Sequence, residues 1–143
     1  MRFEKRVRVA ATPEQTWQIV GDPLRLGGLS GRLEVEELGE AQTPGAGARY
    51  RTALHVGAVP LGSTVEVVDY REARDLAWVT LTGIDHRFRV MVRPKGSAES
   101  LVTMRFAYDS PGLIGTAADV VAFLPVRAAM LDLLDRVVAA VTD

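Results

Sequence analysis

The sequence predicts an α+β domain in which an antiparallel sheet is followed by one long C-terminal helix, and three observations carry that prediction. Between Tyr50 and Tyr108 apolar and polar residues alternate with period two, the pattern of strands that bury one face. No connection in that stretch is long enough for a parallel crossover, so the strands must pair as an antiparallel meander. Beyond Asp109-Ser110-Pro111-Gly112 the period becomes helical, with Phe123, Val126, Met130, Leu133, Leu134, Val137 and Val141 on one stripe. At 143 residues, 48% hydrophobic and 24% charged, the chain fits one domain, 1–143, with a core of its own.

The elements follow in order. Phe3, Lys5, Val7 and Val9 alternate with Glu4, Arg6 and Arg8 and suit a half-buried first strand. Thr12-Pro13-Glu14-Gln15 opens a helix, with Thr12 as N-cap, Pro13 at the first helical position and Gln15 closing a capping box. Gly21-Asp22-Pro23 ends that helix, and Leu24 to Gly31 is either a short second helix or a loop. A second strand is expected over Glu34–Leu38, and a surface turn over the Gly- and Pro-rich segment Gly39–Gly47. Tyr50, Thr52, Leu54 and Val56 then share a face, turn through Gly57–Pro60, and meet Leu61, Ser63, Val65 and Val67 as a hairpin. Leu76, Trp78, Thr80 and Thr82 form the next inner face, Gly83–Asp85 a turn, and His86, Phe88, Val90 and Val92 alternate cleanly with Arg87, Arg89 and Arg93. After Pro94-Lys95-Gly96-Ser97, the residues Val102, Met104, Phe106 and Tyr108 make the last inner face. Pro125 lacks an N–H and crowds the preceding turn, so a kink or break is expected there, with the main helix over about 125–141.

These inner faces are too polar for a dry core. Tyr50, Thr52, Thr80, His86 and Tyr108 each bring a group that needs a partner when buried, and a ligand cavity would supply one. His86 is the best single candidate for proton transfer, or else a satisfied histidine at a strand start. Tyr50 and Tyr108 either donate to a ligand carbonyl or keep their rings packed and their hydroxyls wet. Arg127 borders the helical stripe, where a guanidinium either holds a ligand carboxylate at the pocket mouth or lies along the surface. Outward-facing Arg49, Arg51, Arg87, Arg89, Arg93 and Arg105 make a basic sheet face, to be neutralised by cross-strand acids such as Glu66 or used to dock an acidic partner or a phosphate backbone.

The order of strand, short helices, antiparallel meander and long last helix resembles the helix-grip proteins of the START-like (SRPBCC) superfamily, in particular the polyketide cyclase/dehydrase and lipid-transport family. The residues that carry the likeness are Val7 to Trp17, Gly21-Asp22-Pro23, Gly47 with Tyr50, Val65-Glu66-Val67-Val68-Asp69-Tyr70, Leu76 with Trp78, and the Arg93-Pro94 turn. Nearly the whole chain is covered. One departure is Gly27-Gly28-Leu29, where many such proteins carry a tryptophan.

The resemblance implies a curved sheet wrapped around the C-terminal helix, with short helices between strands 1 and 2 and an apolar cavity between sheet and helix. The expected function is binding or transport of a hydrophobic or aromatic, lipid- or polyketide-like molecule. One alternative is a polyketide cyclase/dehydratase or isomerase using His86, Tyr50 or Tyr108 as acid or base; another is a module that docks an acidic carrier protein through the arginine face. The expected lining comprises Tyr50, Thr52, Leu54, Val65, Trp78, Thr80, His86, Phe88, Met104, Phe106 and Tyr108 from the strands, and Phe123, Arg127 and Met130 from the helix.

Other chemistries are set aside. The net charge of −1 gives no global attraction to nucleic acid, and no cysteine is present for disulfides, thiolate metal sites or nucleophilic catalysis. His55 and His86 are expected to face opposite ways, so no zinc or other metal is anticipated, and no cofactor. Gly27-Gly28-Leu29-Ser30-Gly31 lacks the strand-to-helix context of a nucleophile elbow, and Gly45-Ala46-Gly47 lacks the lysine and helix of a phosphate loop. The N-terminus has no signal-like apolar run and no segment reaches membrane-spanning length, so a cytoplasmic location is expected. The excess of Arg over Lys and the absence of Asn suit a GC-rich bacterial genome.

Overall fold

The computed structural model describes residues 2–56, 59–108 and 115–142, the last with side chains from 125 onward. Seven strands form one antiparallel sheet: β1 (Arg2–Val9), β2 (Leu33–Glu37), β3 (Arg49–Val56), β4 (Val59–Arg71), β5 (Asp75–Gly83), β6 (His86–Lys95) and β7 (Glu99–Tyr108). The order is β1-β7-β6-β5-β4-β3-β2, a meander whose last strand pairs with the first. The sheet curves into a half-barrel around α3 (Gly115–Thr142), with α1 (Pro13–Val20) and α2 (Pro23–Leu29) packed at one end.

The local chemistry explains the boundaries. Thr12 accepts from the Gln15 N–H at 3.2 Å while Gln15 Oε1 accepts from the Thr12 N–H at 2.9 Å, the reciprocal pair anticipated for α1. The segment 24–31, open between helix and loop, is helical through Leu29 because Asp22 caps the Leu24 N–H at 3.0 Å and Pro23 takes the first position. Strand β2 begins one residue earlier than expected, at Leu33, whose buried side chain joins the core. The Gly57–Pro60 turn and the helix boundary at 109–112 fall wholly or partly outside the described residues.

Two expectations are corrected. Thr82 does not face inward: Val65 pairs with Thr80 but Thr64 pairs with Thr82, so Leu81 is an extra residue on β5 and the alternation reverses. Thr82 Oγ1 accordingly lies 2.5 Å from that of the outward Thr64. Nor is α3 broken at Pro125, for the helix runs unbroken from Gly115 to Thr142. Pro125 is exposed, and its missing N–H costs the helix one backbone hydrogen bond without ending it.

The core lies between the concave sheet and the stripe Val126, Met130, Leu133, Leu134 and Val137 of α3, all buried. Burial of each such side chain stabilises by about 1.5–3 kcal/mol. The arginines of the convex face are largely neutralised. Arg49 pairs with Glu66 at 2.9 Å, Arg51 with Glu36 at 3.6 Å, Arg89 with Asp69 and Asp75 at 2.6 Å each, and Arg105 with Glu4. Among the described residues no helix is long and apolar enough to cross a membrane, and no group of acidic or histidine side chains is placed to hold a metal.

Candidate functional site

A cavity lies between the concave face and α3. One wall is an aromatic surface laid across three strands by their register. Trp78 on β5 pairs with Phe88 on β6, which pairs with Phe106 on β7, and in the next row His86 pairs with Tyr108. Trp78 stacks on Phe88 with centroids 4.4 Å apart, and His86 stacks on Phe106 at 5.3 Å. The facing wall is built by Leu33, Thr52, Leu54, Leu61 and Ser63 from β2 to β4, the roof by Val126 and Met130 of α3, and the rim by Ile84. Its volume is about 30 Å³, well below the roughly 300–1,000 Å³ of typical small-molecule pockets. A larger guest must therefore displace side chains, and Met130, with three rotatable bonds, is the most adaptable of them.

His86 is held at both ring nitrogens. Trp78 Nε1–H donates to His86 Nε2 at 3.1 Å, which requires that nitrogen to be unprotonated; the proton then sits on Nδ1 and is donated to the Ile84 carbonyl at 3.0 Å. Burial holds the imidazole below its usual pKa, opposed by the Ile84 carbonyl and the Asp85 carboxylate. The ring is thus a neutral link between the aromatic wall and the 83–86 turn, with neither nitrogen open to a guest. The turn itself is strapped down: the Ser63 hydroxyl also donates to the Ile84 carbonyl at 3.0 Å, and Thr80 Oγ1 donates to Asp85 Oδ1 at 2.8 Å. Thr80, expected as lining, instead positions this turn, and also accepts from the His86 N–H at 3.4 Å.

Thr52 is different. It is buried and lines the cavity, yet among the described residues its hydroxyl has no hydrogen-bond partner, and it is not one of the sealed orphan atoms. It therefore opens onto the cavity. The sealed orphans include the Tyr50 hydroxyl. Tyr50 is wholly buried and off the lining, and its pKa is pushed up to about 12, first by burial and then by the Asp22 and Glu37 carboxylates.

Of the residues expected to line a site, the structure brings together Thr52, Leu54, Trp78, His86, Phe88, Phe106, Tyr108 and Met130. Val65 and Met104 are fully buried in the core without lining the cavity, and Arg127 is exposed and away from it. The Phe123 side chain lies outside the described residues. Five lining residues were not anticipated as such: Leu33, Leu61, Ser63, Ile84 and Val126. Leu61, Ser63 and Val126 already stood on inward faces in the sequence pattern, and extending the same test of alternation would have found them. Ile84 sits in a turn, where no periodicity reports direction.

Residues 1–142 match the family model described as polyketide cyclase/dehydrase and lipid transport. No curated protein matches the sequence. Among solved structures the chain is similar to a protein from Thermus thermophilus, with TM-score 0.82 and 14% identity over 99% of this chain and 97% of that one. It is also similar to the Zhui aromatase/cyclase of Streptomyces sp. R1128, with TM-score 0.77 and 20% identity over 99% and 93% of the chains. A START superfamily protein from Mycobacterium smegmatis superposes with TM-score 0.76 at 14% identity, over 98% and 96%. At these identities the likeness is one of fold.

Proposed function

The chain belongs to the polyketide cyclase/dehydrase and lipid-transport family, and from that premise we propose that it binds and carries a neutral, hydrophobic or aromatic small molecule between the sheet and α3. The observation that carries this reading is the polar inventory of the cavity. Among the described residues no Asp, Glu, Lys or Arg lines it, and the side-chain polar groups of Ser63, Trp78 and His86 are committed to one another or to the Ile84 carbonyl. The Thr52 hydroxyl is uncommitted. A guest with a flat apolar body against Trp78, Phe88 and Phe106, and one oxygen toward Thr52, satisfies that wall. A charged guest would leave its charge unpaired in an apolar enclosure.

Binding without chemistry is supported over the cyclase alternative because the acid–base candidates are poorly disposed to act. His86 has both nitrogens engaged, Tyr50 is sealed off, and Tyr108 is the remaining candidate on the lining among the described residues. The test is a titration with 1-naphthol and naphthalene, followed by fluorescence, on the parent and on Thr52→Val. The parent should prefer 1-naphthol by about tenfold, the worth of one buried hydrogen bond, and Thr52→Val should lose the preference while still binding naphthalene. No saturable binding of either compound would overturn the reading. Turnover of a polyketone by the parent that disappears in Tyr108→Phe would replace carriage with catalysis.

A further inference from the structure

The convex face of the sheet carries a second site, and its logic is read from two rows of cross-strand neighbours. In one row Glu4, Arg105, Arg89, Ala77 and Asp69 lie side by side on β1, β7, β6, β5 and β4. The charges there pair off, Arg105 with Glu4 and Arg89 with Asp69, and Arg89 reaches Asp75 as well. In the next row Arg2 on β1 and Arg87 on β6 flank Ala107 on β7, followed by Val79 and Glu66. Here close pairing fails. Glu66 is taken by Arg49, Asp85 accepts from Thr80, and among the described residues neither Arg2 nor Arg87 makes an ion-pair contact with a carboxylate; Arg2 feels only the field of Glu4, which Arg105 engages directly.

The two unpaired arginines stand on strands either side of an alanine, their Cα atoms about 10 Å apart by strand spacing. They are exposed, and they border a groove of about 190 Å³ whose lining also includes Val68, Val79 and Ala107. A small residue between two long cations leaves room for a group to sit on the sheet and be reached from both sides. We propose that this groove binds a phosphate monoester, with the phosphoryl group between Arg2 and Arg87 and its organic part over Val79 and Val68. Phosphate is favoured over carboxylate because each guanidinium is a planar fork that engages two oxygens. Three phosphoryl oxygens can serve both forks at once, whereas a carboxylate saturates one. The site is separate from the cavity and does not depend on what the cavity holds.

The probe is phenyl phosphate, titrated into the full chain by calorimetry and two-dimensional NMR, with phenol and benzoate as comparison compounds. Saturable binding is expected, with shifts confined to amides around Arg2, Val68, Val79, Arg87 and Ala107, an affinity that falls with added salt, and a loss of about tenfold in Arg87→Ala and in Arg2→Ala. Arg49→Ala, which lies in the same row but outside the groove and already has Glu66, should leave it unchanged. Equal loss in Arg49→Ala would reduce the site to diffuse surface charge and overturn it. So would the absence of saturable binding, benzoate binding as tightly as phenyl phosphate, or competition by 1-naphthol, which would place the phenyl ring in the cavity instead.

Discussion

His86 shows how one side chain can hold chemistry and structure in tension. An imidazole in an apolar pocket suggests a catalyst, but its two nitrogens link Trp78 to the Ile84 carbonyl, and protonating Nε2 would set donor against donor. Its pKa is lowered from 6.5, mainly by burial, so at pH values between that figure and the folded-state value the unfolded chain binds the extra proton and the folded chain does not. Stability contributed by the neutral ring is complete above pH 6.5 and is lost as pH falls toward the folded-state pKa. Thermal melts between pH 7 and about pH 5, above the ordinary carboxylate range, should show a decline that is clearly smaller in His86→Gln; an unchanged slope would mean that His86 titrates normally. Gly83 secures the same turn from the other side. With φ of +89° it sits in the left-handed region, and a Cβ there would run into the Gly62 carbonyl oxygen and lie 2.8 Å from Ser63 Cα. Gly83→Ala should lower unfolding free energy by about 2–4 kcal/mol, read from urea denaturation; a change below about 0.5 kcal/mol would show that the turn relaxes freely.

At the scale of elements, the parts legible in the sequence were those whose forces are local or periodic. The Thr12/Gln15 capping box is a matter of four consecutive residues, and the alternation of His86, Phe88, Val90 and Val92 against arginines is a solvent boundary drawn along a single strand. What escaped depends on partners distant in sequence. The extra residue at Leu81 appears only when β5 is laid against β4, and it turns Thr82 outward while leaving Thr80 to brace the 83–86 turn. A kink or break was expected at Pro125; of the two, the break does not occur, since the helix is continuous through that exposed residue. The junction of α2 with α3 was equally hidden: Ser30, buried just after α2, donates to Asp132 Oδ2 at 2.9 Å and accepts from the Arg32 N–H at 3.1 Å. A hydroxyl bonded to a half-buried carboxylate contributes about 1.5–3 kcal/mol. Ser30→Ala should therefore lower the unfolding free energy by that amount, read as a lower urea midpoint at constant m, and Asp132→Asn, which keeps an acceptor, should lose less. Equal losses would locate the effect in packing rather than in this bond.

For the whole molecule, the decisive question is how a sheet gripping a helix admits a guest into a space of about 30 Å³. The sheet is braced by its ladder on every internal strand, and the 83–86 turn by five hydrogen bonds to β4, β5 and itself. The roof is held mainly by apolar contact, and Met130 stands in it above the aromatic wall. Yielding should therefore begin at Met130. Truncation to alanine removes packing worth about 2–5 kcal/mol and leaves a void lined by Trp78, Phe88 and Phe106. If that void continues the ligand cavity, Met130→Ala should bind naphthalene more tightly than the parent, and a concentration of about 100 times its Kd should restore about 2.7 kcal/mol of the lost stability. The same truncation at Leu134, buried on the same helix but away from the cavity, should destabilise comparably and gain no affinity. Equal ligand rescue of both variants would mean that naphthalene fills whatever hole is made, and the grip would then be a packed core rather than a receptor.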